Sequence, residues 1–193
     1  MNCFWRYLTP TQFDDIILRS DGEFLTGLSF DTENIINSFK QQPVFPKHTR
    51  PKLAPPVRDH LTSTAKLLPI FQETCIWLDS YFSGKTPDFT PKYKLYGVTP
   101  FREEVKAMLL AIPYGETTTY GALANKIATA HGVKKMSARA VGNAVGWNPI
   151  CIIIPCHRVL GANNQITGYR YGIKNKIALL KHEQKLFCRK SPT

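Results

Sequence analysis

Asn148-Pro149-Ile150-Cys151-Ile152-Ile153-Ile154-Pro155-Cys156-His157-Arg158-Val159 is the stretch on which the reading of this chain turns. Its β-branched run predicts a buried strand at Ile152-Ile153-Ile154, and that strand points straight into Pro155-Cys156-His157-Arg158. A cysteine is a nucleophile only as thiolate, so it needs help to lose its proton. Histidine is the side chain that most readily accepts a proton near neutral pH. Neighbours on an extended chain point to opposite sides, so His157 reaches the Cys156 thiol indirectly, and a bridging water is one solution. A carboxylate must then hold the imidazole, and Glu183 is the only acidic residue in 117–193. Taken alone, a Cys-His dipeptide is more commonly a buried thiol beside a surface histidine.

Working outward, the flanking segments read as helices. Thr99 is a good cap, Pro100 suits a first helical position, and Glu103 and Glu104 favour the positive end of the helix. Val105, Met108, Leu109 and Ile112 form one apolar face, and Pro113-Tyr114-Gly115 ends it. A second helix is predicted from about Thr119 to Ala128. A loop with His131, Gly132, Lys134 and Lys135 follows, and Ser137 caps a third helix, Ala138–Val145. Two short helices joined by a basic turn fit a helix-turn-helix; an ordinary helix pair is the alternative. Beyond the cysteine, Gly161–Asn164 is a turn and Ile173–Lys185 a last helix.

The first half reads differently. Phe4–Leu8, Phe13–Arg19 and Glu23–Phe30 are strand-like, with Asp21-Gly22 as a turn. Asp31 can cap a short helix through Phe39. Pro43, Pro46, Pro51, Pro55 and Pro56 forbid regular structure over 41–56. Thr64–Phe82 has helical spacing at Leu68, Phe71, Cys75 and Leu78, with Pro69 marking a start within it. Lys85–Pro100 reads as a linker. The fold expected is α/β: a small N-terminal sheet-plus-helix domain over residues 1–93 and a mainly helical C-terminal domain with a helix-turn-helix over 94–193.

Charge separates the same two parts. Residues 1–93 carry ten basic and ten acidic side chains, whereas 94–193 carry 15 and 4, so the whole excess of +11 lies in the second part. A basic unit beside a neutral one suggests a polyanionic partner, although a soluble basic surface looks the same. The cysteines, Cys3, Cys75, Cys151, Cys156 and Cys188, are odd in number, and none are spaced as a zinc knuckle, which favours reduced thiols inside a cell. The N-terminus lacks the pattern of a secretory leader, and the apolar runs are too short to cross a bilayer.

The quoted stretch resembles the active-site signature of the O6-alkylguanine-DNA alkyltransferases, also called methylated-DNA–protein-cysteine methyltransferases. Ile112-Pro113-Tyr114-Gly115-Glu116-Thr117-Thr118-Thr119-Tyr120-Gly121 is similar to that family's lead-in to its helix-turn-helix. Ser137–Val145 resembles its recognition helix, and Gly168-Tyr169 with Lys176…Leu179-Leu180…Glu183 resembles its C-terminal end. The resemblance runs in order through nearly all of residues 99–184. In the first half it is loose, resting on the Asp-Gly hairpin and Tyr81-Phe82-Ser83-Gly84.

The resemblance implies roles. Cys156 would attack the alkyl carbon on guanine O6, and His157 would deprotonate it through a water, oriented by Glu183. Tyr120 would donate a proton to the departing guanine, and Asn148 would brace the turn between recognition helix and active-site loop. Arg139 would fill the gap left by a base flipped out of the stack. Ala138, Ala140, Gly142 and Ala144 are small enough to let the helix approach a minor groove without sequence readout, or they serve close helix packing. Val145, Val159, Tyr169, Arg170 and Tyr171 would contact the substrate.

Two positions depart from the family pattern. Many relatives have small residues where Arg170 and Tyr171 follow Tyr169, so a bulky Tyr171 should restrict adducts to methyl-sized groups. Cys151 replaces a common proline and is expected to fill volume rather than accept alkyl groups. No metal and no cofactor are expected, since only Cys3 and Cys75 could supply thiolates to a zinc in the N-terminal part. The partner expected is double-stranded DNA containing O6-alkylguanine, bound by a monomer through the minor groove, in the cytoplasm or, in a eukaryote, the nucleus. A non-catalytic alkylated-base-binding protein is the alternative, and the presence of Cys156 argues against it. A two-function regulator would need a further cysteine-rich metal domain. A thiol hydrolase would need to release its thioether, which is a very stable product.

Overall fold

The computed structural model describes residues 3–32 and 68–187. The helix expected after Asp31, the proline-rich loop, the start of the Thr64–Phe82 stretch and Cys188 lie outside them.

Three strands, β1 (Cys3–Tyr7), β2 (Ile16–Ser20) and β3 (Leu25–Phe30), form an antiparallel meander in the order β1-β2-β3. The β2–β3 turn follows from Asp21-Gly22. Gly22 sits at φ 114°, where a side chain is strained, and the Asp21 carboxylate accepts the Phe24 N–H at 2.9 Å. Helix α1 (Pro69–Phe82) starts at its proline, as its fixed φ and missing N–H favour. It buries Ile70, Phe71, Cys75, Leu78, Tyr81 and Phe82, and the Phe82 ring packs 4.9 Å from Phe13.

The helices of the second half match the capping pattern. α2 (Pro100–Leu110) is capped by Thr99, α3 (Tyr120–Ala130) by Thr119 and α4 (Ala138–Gly146) by Ser137, each hydroxyl accepting a backbone N–H of the first turn. Two-residue strands β4 (Thr118–Thr119) and β5 (Val159–Leu160) pair in parallel, tying the start of α3 to the segment after Cys156. α5 (Ile173–Phe187) closes the described chain.

The expected strand at 152–154 is not formed. Ile152, Ile153 and Ile154 are buried, but they lie in a turn in which Ile152 has φ 68° and Ile154 N–H donates to Ile150 O at 3.1 Å. A β-branched run reports burial, and here burial comes from the core rather than from a ladder. Ile150 alone bridges Leu28 of β3, with Leu28 N–H to Pro149 O and Cys151 N–H to Leu28 O, both 2.9 Å. A β-branched residue at positive φ costs about 1–3 kcal/mol and persists where packing over-determines it. The turn brings the chain back so that Cys156 emerges beside Asn148.

The segment read as a linker is likewise tacked to β3, where Leu25 bonds Lys92 and Lys94. One buried apolar cluster runs from the sheet and α1 through α2, α3, α4 and 150–156. Among the described residues no helix is long and apolar enough to cross a membrane.

Candidate active site

Cys156 opens a single 3-10 turn, Cys156–Arg158, inside a segment buried from residue 151 to 160. The residue is 4 % exposed. Asn148, at the end of α4, organises the approach. Its Nδ2 donates to Ile154 O at 2.8 Å and to Cys156 Sγ at 3.1 Å, while its Oδ1 accepts the Ile150 N–H at 3.0 Å. One amide therefore holds both ends of the turn and touches the thiol. The Tyr169 hydroxyl lies 4.0 Å from Sγ on another side. Burial pushes the thiol above its ordinary value, and the Asn148 and Tyr169 hydrogen bonds and the Lys176 charge pull it only part of the way back. The group rests as a thiol, and losing its proton would need a base.

His157 is fully buried, with Nε2 2.9 Å from Glu183 Oε1. An ionised carboxylate only accepts, so Nε2 carries the hydrogen and Nδ1 presents a lone pair. That Nδ1 is buried without a protein partner. Burial holds the imidazole below its ordinary value in spite of Glu183, which leaves it neutral and ready to take a proton.

Glu183 is more heavily engaged than its expected role requires. Arg158 grips it through Nε to Oε2 and Nη2 to Oε1, both at 2.9 Å, while Nη1 donates to Ile112 O at 2.7 Å. The Gly115 N–H donates to Oε2 at 3.1 Å, which the positive φ of Gly115 permits, and the Tyr81 hydroxyl donates to Oε1 at 2.8 Å. Burial works against the carboxylate. The His157 and Arg158 hydrogen bonds and charges outweigh it and hold Glu183 well below the usual carboxylate range. A carboxylate so supplied with donors anchors a proton acceptor rather than acting as one.

Lys176 is a further neighbour of the site, which the sequence reading quoted in the C-terminal pattern but gave no role. It is fully buried, with Nζ donating to Val159 O at 2.6 Å and Thr167 O at 3.1 Å and standing 5.9 Å from the centre of the Tyr120 ring. A signal was available: Lys176 and Glu183 fall seven residues apart, on the same face of α5 as Leu179 and Leu180, where charged residues must be buried and paired. Arg158 was quoted only as a neighbour of the cysteine, and nothing local pointed to Tyr81.

Tyr120 begins α3. Burial and then the Cys156 charge hold its phenol above its ordinary value, so it stays protonated. It lines a groove of about 790 Å³ together with Thr119, Asn125, Ala138, Arg139, Gly142 and Asn163. A Cβ at Gly142 would stand 3.8 Å from the Tyr120 ring. Arg139 is exposed at this groove; Ala140 is half-buried and outside its wall, and Ala144 is turned into the core. The small residues thus divide between an open face and close packing. Val145 and Val159 are buried. Tyr171 is also buried, edge-on to Tyr169 and donating its hydroxyl to Asn148 O at 2.5 Å. Arg170 is exposed, with Nη1 3.4 Å from Gly146 O. Cys151 is buried, and burial pushes its thiol well up. Among the described residues no cluster of His, Cys, Asp or Glu could hold a metal ion.

The family model for the 6-O-methylguanine DNA methyltransferase DNA-binding domain matches residues 100–185. The methylated-DNA–protein-cysteine methyltransferase of Mycobacterium tuberculosis (strain ATCC 25618 / H37Rv) is 50% identical over 107 residues, which cover 55% of this chain and 61% of that protein. The matched stretch is thus less than two thirds of the mycobacterial relative. The Haemophilus influenzae protein of the same name is 34% identical over 175 residues, covering 91% of this chain and 83% of its own. The crystal structure of M. tuberculosis O6-methylguanine methyltransferase aligns with TM-score 0.70 at 32% identity, over 100% of this chain and 96% of that one. That of M. tuberculosis OGT in complex with DNA aligns with TM-score 0.64 at 33% identity, over 93% and 92%.

Proposed function

We propose that this chain, which belongs to the methylated-DNA–protein-cysteine methyltransferase family, repairs DNA by moving a methyl or other small alkyl group from guanine O6 onto Cys156. O4-alkylthymine would be a poorer substrate. The observation that carries the reading is the buried Cys156 thiol held by Asn148 Nδ2 at 3.1 Å, next in the chain to a neutral His157 whose Nε2 is anchored on Glu183.

The partner is double-stranded DNA, bound at the minor groove without sequence readout, with Ala138, Arg139 and Gly142 of α4 facing it. A relative of known structure was solved with DNA bound, and the charge excess of residues 94–193 has the sign for phosphate contacts. A buried sulfur cannot reach a stacked base, so the alkylated nucleotide must leave the stack, and Arg139 takes its place.

The geometry supports the following chemistry. The Cys156 proton passes through a water to His157 Nδ1, and Glu183, kept ionised by Arg158, balances the imidazolium. The sulfur attacks the alkyl carbon; the S–C bond forms as the C–O6 bond breaks, and its electron pair stays with guanine. The Tyr120 phenol supplies the proton that neutralises the departing base. The product is a thioether that none of the neighbouring groups can cleave, so each chain acts once, as a monomer and with no cofactor. Tyr171 backs Tyr169 and Asn148 against the thiol, which favours methyl over benzyl-sized groups.

Intact-protein mass spectrometry after incubation with an O6-methylguanine duplex tests this. One methyl per chain is expected, on the peptide holding Cys156. No mass gain, or an equal gain in Cys156→Ser, overturns it; binding to the lesion without mass gain would point instead to a non-catalytic damage-binding protein.

A further inference from the structure

Glu183 Oε1 is a shared oxygen. It takes His157 Nε2–H at 2.9 Å, Arg158 Nη2–H at 2.9 Å and the phenolic O–H of Tyr81 at 2.8 Å. Tyr81 comes from α1, 102 residues away in sequence, a helix that packs on β2 and β3. It is 1 % exposed and has little freedom. Its ring stacks on Trp77 at 5.6 Å and meets Phe82 and Tyr114 edge-on at 5.3 and 5.9 Å, and its carbonyl oxygen lies 2.8 Å from His182 Nε2.

Donors on one oxygen compete for its electron density. Each hydrogen bond that Oε1 accepts from a neutral phenol reduces what it offers to an imidazolium. The charged and titratable groups around His157 are few. Glu183 and Lys176 face it from α5, Arg158 and Cys156 belong to its own turn, and Tyr81 from α1 and Tyr114 from the 113–115 turn act through Glu183. Arg158 and Lys176 favour the neutral ring and Glu183 favours the charged one. Tyr81 is the donor that meters Glu183 from outside the C-terminal half.

We propose that Tyr81 is a positioning residue of the alkyl transfer, its O–H bond to Glu183 Oε1 setting how strongly His157 holds a proton and therefore the pH above which Cys156 can be deprotonated. The inference rests on the reading of Cys156 as the acceptor. It makes the N-terminal half part of the proton relay rather than only its support. A phenol that merely pinned α1 to α5 would change stability and leave the pH dependence of transfer where it was.

The test is the rate of methyl uptake from an O6-methylguanine duplex between about pH 5 and 9. It compares the wild-type chain, Tyr81→Phe, and a chain with 3-fluorotyrosine installed at position 81. Without the O–H, Oε1 binds the imidazolium more tightly, so Tyr81→Phe moves the acid limb up by about one pH unit. Fluorination makes the phenol a stronger donor and moves the limb down. The fluorinated chain keeps the native ring and bond, so it decides the matter even if Tyr81→Phe does not fold. Opposite shifts support the proposal. An acid limb that does not move down in the fluorinated chain overturns it while leaving the transfer reading standing. Absence of methyl uptake by the wild-type chain at every pH overturns both.

Discussion

Glu183→Gln is the substitution that asks most of the site. It preserves shape and removes one charge. Gly115 and Tyr81 donate to different Glu183 oxygens, so an amide with one oxygen keeps only one of the two bonds; Arg158, only 8 % exposed, loses its counter-charge, and one of its Glu183 contacts becomes donor facing donor. Removing one partner of a buried ion pair costs about 3–5 kcal/mol, because the other charge is left uncompensated. For a chain of this length each kcal/mol lowers the melting temperature by about 2–4 °C, so the variant should melt roughly 10 °C below the wild type. The rate should fall with it. A neutral amide cannot balance the His157 imidazolium, and a positioned proton acceptor contributes about 10²–10⁴-fold to such reactions. Thermal unfolding by circular dichroism and single-turnover methyl uptake read the two effects separately. The paired variant Glu183→Leu with Arg158→Met removes the uncompensated charge but orphans the His157, Gly115 and Tyr81 donors and the Ile112 carbonyl, at about 1–3 kcal/mol for each buried group, so it should recover neither the stability nor the activity. A Glu183→Gln protein that melts with the wild type and transfers methyl at the wild-type rate would refute the account of the relay.

Stability should decline on acidification in two stages. His157 is held below its ordinary value, so below about pH 6.5 the unfolded chain gains a proton that the folded chain refuses. Glu183 is held low, so its ion pair contributes fully above about pH 4.3 and is lost as pH falls from there through the folded value. Urea midpoints measured against pH should show both stages, and Glu183→Gln should lack the second. Arg139→Ala should leave the melting temperature within the range of about 0.5 kcal/mol typical of surface changes, while slowing methyl uptake from duplex DNA. Equal rates for the two proteins would remove Arg139 from the mechanism. Gly142→Leu places its branch beyond a Cβ that already stands 3.8 Å from the Tyr120 ring, so it should weaken duplex binding in a gel-shift titration without unfolding the core. Methyl adducts should be taken up faster than benzyl adducts, with Tyr171→Ser narrowing the gap; comparable wild-type rates would discard the role given to Tyr171.

The sequence by itself determined the local structure of the second half, because its signals act over a few residues. The hydroxyls of Thr99 and Ser137 marked where two helices begin, as such side chains satisfy the orphan N–H groups of a first turn, and Thr119, read only as an approximate start, caps a third in the same way. The Pro-Cys-His-Arg string and the scarcity of acids after residue 117 singled out Cys156, His157 and Glu183, which the fold brings together. Tertiary structure decided the rest. The isoleucines of 152–154 announced burial, but periodicity and β-branching cannot tell a strand from a buried turn, and the pairing of Ile150 with Leu28 of a distant strand chose the turn. Tyr81 reached Glu183 across 102 residues, and Arg158 and Lys176 were buried by partners none of which are their sequence neighbours. A chain states its local preferences in its own order of residues. Which donors converge on one carboxylate is decided only when distant elements pack, because the cost of burying that charge is met by whatever the packing brings beside it.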